Sequence, residues 1–288
     1  MDGIVSVLKP PGMTSSNVVF DVRRVFGEKR AGHLGTLDPA AAGVLPVCLG
    51  RATRLFDILV DKDKEYVFEA AFSIQTDTQD ACGAVTALDG RRVTEAELAR
   101  VLPEFLGGQM QTASVYSALK VDGRKMYDLA RAGEIVEPKT REICVHELEL
   151  IGQTGENRFL LRTVCSRGTY IRSLCESIAQ RLGTLGYVSV LLRTRSGPFA
   201  IDQALTIAEL DAAKSAGSLA QTLVSCEEAI SFLPELRLPS ERTIPTKNGL
   251  DTHLPGAADG RVRAYVPEGF LGVGEVANER FRLLIHLY

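Results

Sequence analysis

The sequence from Gly32 to Gly50 runs GHLGTLDPAAAGVLPVCLG. Glycine and proline interrupt every regular period in it, yet it is too apolar for a solvated surface loop, so it is expected to be a packed, rigid loop. Pro39 pushes Asp38 out of the α region and stiffens its backbone, which presents one carboxylate on a fixed turn near the imidazole of His33. On spacing alone, the commoner reading of Asp38 is an aspartate closing an Asx-turn.

The flanks on either side are more regular. Thr14, Ser15 and Ser16 offer caps for a helix with apolar Val18, Val22, Val25 and Phe26 on one face and Gly27 as its stop. From Lys64 the period changes to two, with Tyr66, Phe68, Ala70, Phe72 and Ile74 on one side of a strand, so Tyr66 faces a core or a cleft. Thr94 and Glu97 form a capping box before Leu98, Val101, Leu102 and Phe105. A further helix is expected over Arg124 to Ala132, closed by Gly133. Ile143–Ile151 and Phe159–Val164 read as a hairpin around a turn from Gly152 to Asn157, followed by a helix with Ile171, Leu174, Ile178 and Leu182.

Strands and helices mix without strict alternation, which predicts an α+β fold with a mixed, mostly antiparallel sheet flanked by helices. After about Glu235 the texture becomes proline-rich with short strand-like pieces, Leu271–Val276 and Phe281–Leu287. A domain boundary is expected there, dividing residues 1–234 from a small β-rich unit of residues 235–288 that leans on the first for its core.

The 288 residues are 45% apolar and 24% charged, the composition of a folded, water-soluble chain. No secretory pattern or long apolar run is present, so a cytoplasmic protein with no membrane contact is expected. The six cysteines are scattered without a zinc-type spacing, which argues for ordinary reduced thiols and no metal site. Net charge is −3, but the arginines from Arg158 to Arg195 face only Glu176 within their own stretch, which permits a phosphate-binding surface on an acidic protein.

The Gly32–Gly50 segment, with Lys9-Pro10-Pro11-Gly12-Met13-Thr14-Ser15 before it, closely resembles the signature of the TruB family of tRNA pseudouridine synthases. The resemblance continues through Asp61–Tyr66, Thr76–Asp80, Val115–Lys120 with Gly123–Tyr127, Cys165–Leu174 and Leu191–Arg195. It departs at Ala40 and Ala42, where leucine and threonine are common, and at Thr36, where alanine is frequent; these neighbour the aspartate without replacing it. The C-terminal part resembles a PUA RNA-binding domain more weakly, through Lys247-Asn248-Gly249 and Gly269–Gly274.

The resemblance implies the pseudouridine synthase fold with a PUA-like appendage, and an isomerase that converts uridine 55 in the T-loop of tRNA. It makes Asp38 the catalytic nucleophile and Tyr66 the ring that stacks on the uracil and a candidate for proton transfer. Tyr170, Arg172 and Leu192 join the same pocket, and His33 helps hold the RNA loop open. It implies tRNA as partner, no cofactor, no metal, and a chain acting as a monomer without an obligatory protein partner.

The residue types suit that chemistry. An ionised carboxylate can open the reaction by adding to the base, attacking the sugar or removing a sugar proton, and sequence does not choose among these. Burial would protonate a bare carboxylate, and an arginine facing it restores the charged form and fixes its orientation. Taken singly, Arg172 also reads as a surface base of its helix, and Tyr66 and Tyr170 as core aromatics. RNA loops are read by shape, stacking and phosphate contacts, for which the arginine run with Lys120, Arg124, Lys125 and Arg131 supplies candidates. Two alternatives remain: a tRNA-binding protein without chemistry, and a glycosidic hydrolase using Asp38, for which no second carboxylate stands nearby in sequence.

Overall fold

The computed structural model describes residues 1–112 and 140–288, together with the backbone of two short strands between them. In chain order the first half comprises β1 (Gly3–Lys9), α1 (Ser15–Phe26), β2 (Ala31–His33), β3 (Ala42–Leu49), α2 (Phe56–Val60), β4 (Lys64–Phe72), β5 (Ile74–Thr76), β6 (Val85–Leu88), α3 (Glu95–Val101) and β7 (Gly107–Thr112). The short pair is β8 (Lys120–Val121) and β9 (Arg124–Lys125). There follow β10 (Thr140–Gly155), β11 (Arg158–Cys165), α4 (Ile171–Leu182), β12 (Gly186–Ser196), β13 (Phe199–Ala200), α5 (Ile207–Ser215) and α6 (Cys226–Ala229). The C-terminal part holds β14 (Glu235–Arg237), α7 (Thr243–Lys247), β15 (Thr252–His253), β16 (Gly260–Val266), β17 (Gly269–Ala277) and β18 (Arg280–His286).

The main sheet runs β1-β3-β12-β4-β11-β10-β7, with β2 added on β3 and β13 on β12. Its pairs are antiparallel except β12 with β3, so the α+β reading with a mostly antiparallel mixed sheet holds. Alternation along the strands splits the core between the two faces. Val5 and Val7 of β1 and Leu45, Val47 and Leu49 of β3 pack with α1 and α4 residues such as Val18, Val22, Leu174 and Ile178. Ile4, Val44 and Cys48 point the other way, against Ile58, Leu59, Phe199 and Ile230.

That two-sided burial corrects the expectation of a loop over the whole of Gly32–Gly50. A strand covered on both faces is a continuous apolar run without alternation, and here it also carries a proline. Pro46 is tolerated because its carbonyl accepts from Leu34 N at 2.9 Å, so its missing N–H faces the same edge. On that edge β12 pairs only with Ala42 and Gly43, and β2 only with Val47 to Leu49, which leaves Pro46 between partners.

The end signals expected for α1, α3 and α4 hold, with Gly183 closing α4 in the left-handed region. Thr14 accepts from Asn17 N and Gly27 closes α1 in the left-handed region, while Thr94 and Glu97 form the reciprocal box before α3. The β10–β11 hairpin is tighter than expected: β10 runs on to Gly155, absorbing its glycines in bulges, and Glu156-Asn157 make the turn, with Asn157 at φ +54°. The helix expected over Arg124–Ala132 begins instead with strand β9, and its remainder lies outside the described residues. Among the described residues no helix is long and apolar enough to cross a membrane.

The C-terminal strands form a second sheet, β14-β16-β17-β18-β15, around Leu238, Val262, Leu271, Phe281 and Leu283. It shares core with the first part: Val273 and Leu287 pack in the cluster of Ile4 and Leu34, and Arg54 donates to the His286 carbonyl at 2.7 Å.

Candidate active site

The segment between β2 and β3 is irregular, yet nearly every turn of it is tied down. Ser15 Oγ accepts from Leu37 N at 2.9 Å and donates to Leu37 O at 3.0 Å. Gly12 N donates to Pro39 O, and Ala41 N to Asp38 O. From beneath, the buried ammonium of Lys9 at the end of β1 donates to Pro39 O at 3.2 Å and Ala41 O at 2.6 Å. The equally buried guanidinium of Arg193 donates to Gly35 O at 3.1 Å and Val44 O at 2.7 Å. Backbone groups held this way cannot drift, so the loop presents Asp38 in one place.

Asp38 is 37% exposed, while its partner Arg172 is only 4% exposed, with Arg172 Nη2 3.0 Å from Asp38 Oδ2. Arg172 is set by its place in the first turn of α4 and by the loop after β5, where its Nη1 donates to Thr78 O at 2.8 Å and lies 3.9 Å from Asp80 Oδ2. A buried arginine with a carboxylate on each side is not the surface base that helix position alone suggested.

Asp38 opens into a cleft of about 330 Å³. Its walls include His33, Tyr66, Tyr170 and Arg172, so four of the residues expected at the site surround the fifth, Asp38. Leu192 does not join them. The β12 residues on the wall are Leu191 and Arg193, and strand alternation turns Leu192, between them, to the other face of the sheet. Among the described residues the remaining charge on the cleft wall is basic: Lys64, Arg167, Arg172 and Arg193, against Asp38 as the one carboxylate.

That basic lining is built differently from the arginine run. Arg158 pairs with Glu69, Arg162 with Glu65, Glu147 and Glu149, and Arg181 with Glu104, partners that lie on other elements and are invisible within the stretch. Arg195 lies 3.7 Å from Glu65. Of the run, only Arg167 combines a place on the cleft wall with a half-exposed side chain. Lys120, Arg124, Lys125 and Arg131 have no described side chains.

Burial shapes the titration of the wall. It pushes the Tyr66 phenol up from its usual value, opposed by the neighbouring Arg193 guanidinium. It holds the Lys64 ammonium down to about 8, helped by Arg193 and Arg167, and Lys9 down to about 8, with Asp38 pulling the other way. Sequence reading gave no role to Lys9, Lys64 or Asp80, only a capping role to Ser15 and only a place in the basic run to Arg193. The legible signal was a basic residue inside an apolar strand, as in Val5-Ser6-Val7-Leu8-Lys9 and Val190-Leu191-Leu192-Arg193.

Two family models match the chain: the TruB family pseudouridylate synthase N-terminal domain over residues 23–171 and the tRNA pseudouridylate synthase B C-terminal domain over 172–231. The chain belongs to the TruB family of pseudouridylate synthases. A Pelotomaculum thermopropionicum protein named tRNA pseudouridine synthase B is 44% identical, over 98% of this chain and 93% of its own. One of the same name from Geobacillus thermodenitrificans is 40% identical over 93% and 92%. Among solved structures, an H/ACA ribonucleoprotein bound to a substrate RNA containing 2′-deoxyuridine includes a chain 26% identical, with a TM-score of 0.73 over 95% of this chain and 78% of its own. A Cbf5-Nop10-Gar1 complex gives 26% identity and a TM-score of 0.72 over the same shares. The pseudouridine synthase fold expected from the sequence is therefore the fold of this TruB-family chain.

Proposed function

We propose that this protein isomerises uridine 55 in the T-loop of tRNA to pseudouridine, with Asp38 as the group that opens the reaction. The observation that carries the reading is a carboxylate fixed 3.0 Å from a buried guanidinium at the floor of an otherwise basic cleft. The relatives' shared name supplies the tRNA and the uridine.

The reaction breaks the bond from ribose C1′ to uracil N1 and makes one from C1′ to C5. The C5 proton leaves and N1 gains one, so no cofactor and no net redox change is needed. The uridine must leave its stack, at a cost of a few kcal/mol, before it can reach Asp38. In this reading Tyr66, on the cleft wall, offers the ring that offsets this cost, and His33, on the same wall at the end of β2, fills the emptied RNA position. Arg172 aims Asp38 through its planar fork of N–H donors, which serves an attack on the base or on C1′ and removal of a sugar proton alike. Tyr66 and Tyr170 supply phenols for the proton exchange between C5 and N1. Arg167, half-exposed on the cleft wall and 3.8 Å from Asp61, is the cation available to the phosphates that enter with the nucleotide, while the buried Lys64 donates to the Val60 and Lys62 carbonyls.

In the same reading residues 1–234 are the catalytic unit, and residues 235–288 a PUA-like unit that holds the tRNA away from the reacting base. The T-arm is the bound part of the tRNA, and one chain acts in the cytoplasm without a protein partner. The test is incubation with an unmodified tRNA transcript and mapping of pseudouridine. Wild type is expected to convert position 55. Asp38→Asn is expected to abolish conversion while tRNA affinity stays within a few-fold. Conversion elsewhere would overturn the position, conversion by the variant would overturn the nucleophile, and release of free uracil would indicate a hydrolase.

A further inference from the structure

Tyr170 is held by more than its own helix. It precedes α4 with φ −94° and ψ 111°, and its carbonyl accepts the α4 bond from Leu174 N. On its other side lies Gln111 of β7, a buried side chain whose amide spans the Tyr170 peptide groups. Gln111 Oε1 accepts from Tyr170 N at 2.7 Å, and Gln111 Nε2 donates to Tyr170 O at 3.0 Å. The residue registered opposite Gln111 across the β7–β10 ladder is Arg141. Arg141 reaches the same tyrosine from the ring side, with Nη2 3.4 Å from the phenol oxygen and the guanidinium 5.0 Å from the ring centroid.

We propose that the cross-strand pair Gln111–Arg141 is a positioning element for the reaction, fixing the backbone and the ring of Tyr170 at the cleft wall. The inference rests on the functional reading above. An amide is suited to this post because it donates and accepts at once, matching one N–H and one C=O of the chain. Tyr170 adjoins Ile171 and Arg172 at the start of α4, so the same clamp also sets where the Asp38–Arg172 pair begins. A displacement of about 1 Å at such a point can cost a hundredfold in rate, because the reacting groups must be pre-aligned. Arg141 adds a stacked, planar cation that keeps the Tyr170 ring from turning away.

The decisive variant is Gln111→Glu. Ionised, the new carboxylate still accepts from Tyr170 N but presents a lone pair, not a proton, to Tyr170 O. Protonated, it donates and accepts as the amide did. Burial beside a carbonyl raises the pKa of such a carboxyl and the Arg141 guanidinium on the facing strand lowers it; burial is the larger effect at a side chain only 6% exposed, so the protonated form returns on moderate acidification. In single-turnover assays of the full-length protein on a tRNA transcript, Gln111→Glu is expected to run at least tenfold below wild type at pH 8.5. Its rate relative to wild type should recover severalfold at pH 6. Gln111→Leu should show the loss at both pH values. Neither should change tRNA affinity more than twofold, and Arg141→Met should lower the rate without a pH-dependent recovery.

Wild-type rates from both variants at pH 8.5 would overturn the proposal. So would an equal, pH-independent loss in Gln111→Glu and Gln111→Leu, which marks a merely structural glutamine. A lack of tRNA conversion by wild type would instead remove the functional reading on which the proposal stands.

Discussion

At the scale of the residue, the site turns on how one guanidinium is shared. Arg172 reaches Asp38 Oδ2 at 3.0 Å and Thr78 O at 2.8 Å through different nitrogens, with Asp80 on the same side as Thr78. A planar fork satisfies partners in separate directions, whereas an ammonium on a flexible stem is a single point charge. Arg172→Lys should therefore keep the charge and the fold but lose the alignment of Asp38. The expected outcome is a fall in kcat on the order of 100-fold with tRNA affinity nearly unchanged. An unchanged kcat in single-turnover assays would show that charge alone suffices. Asp38, His33, Tyr66 and Tyr170 were legible at this scale through their motifs. Leu192 lies outside the cleft that Leu191 lines, because a single-residue step on a strand reverses the face and no motif specifies the face.

At the scale of the element, the unit is the loop from β2 to β3 with the strands that pin it. Its support comes from Lys9 of β1 and Arg193 of β12, far apart in sequence and adjacent only once the sheet orders itself β1-β3-β12. Sequence could show that the Asp38-Pro39 turn is stiff but not what stiffens the rest, since those bonds are long-range. Gly43, where β3 begins to pair with β12, is the most sensitive point. Its φ is +114°, and a Cβ there would lie 2.2 Å from Arg193 O and 2.7 Å from Arg193 N. Both obstacles are backbone, so no rotamer change relieves them. Gly43→Ala is expected to destabilise the protein by about 2–4 kcal/mol, from the unfavourable φ and the forced separation of the two strands. Chemical denaturation of the variant measures this, and activity should fall further than stability because Arg193 would lose its hold on Val44 O and Gly35 O. A loss under about 0.5 kcal/mol, the range of an ordinary surface substitution, would show that the strands yield easily.

At the scale of the whole molecule, the α+β class and the C-terminal β-rich part followed from periodicity, but the joining of the two sheets did not. Val273 and Leu287 complete a core that starts at Ile4, and no local pattern pairs residues so far apart. The extent of burial carries a consequence for pH. Burial raises the thiols of Cys48 to about 12 and of Cys165 and Cys226 to about 11, from 9, and it raises Cys175 as well. The unfolded chain sheds these protons near pH 9 while the folded chain keeps them. Their contribution to stability is thus complete below pH 9 and is lost as pH rises toward the folded values. Lys9 and Lys64 act in the opposite sense: folded, they deprotonate near 8 rather than 10.5, so the cost of burying their charge eases between those values. With four thiols against two lysines, the thiols win between about pH 9 and 10.5, by roughly 2–3 kcal/mol per pH unit if each group contributes its full 1.4. Urea midpoints measured in the presence of a reductant should therefore be lower at about pH 10.5 than at about pH 9. Replacing Lys64 with methionine should steepen the decline by removing one opposing group. A midpoint that is flat or rising across this range would mean that the four thiols are hydrated in the folded state, contrary to their place in the two cores on either face of the main sheet.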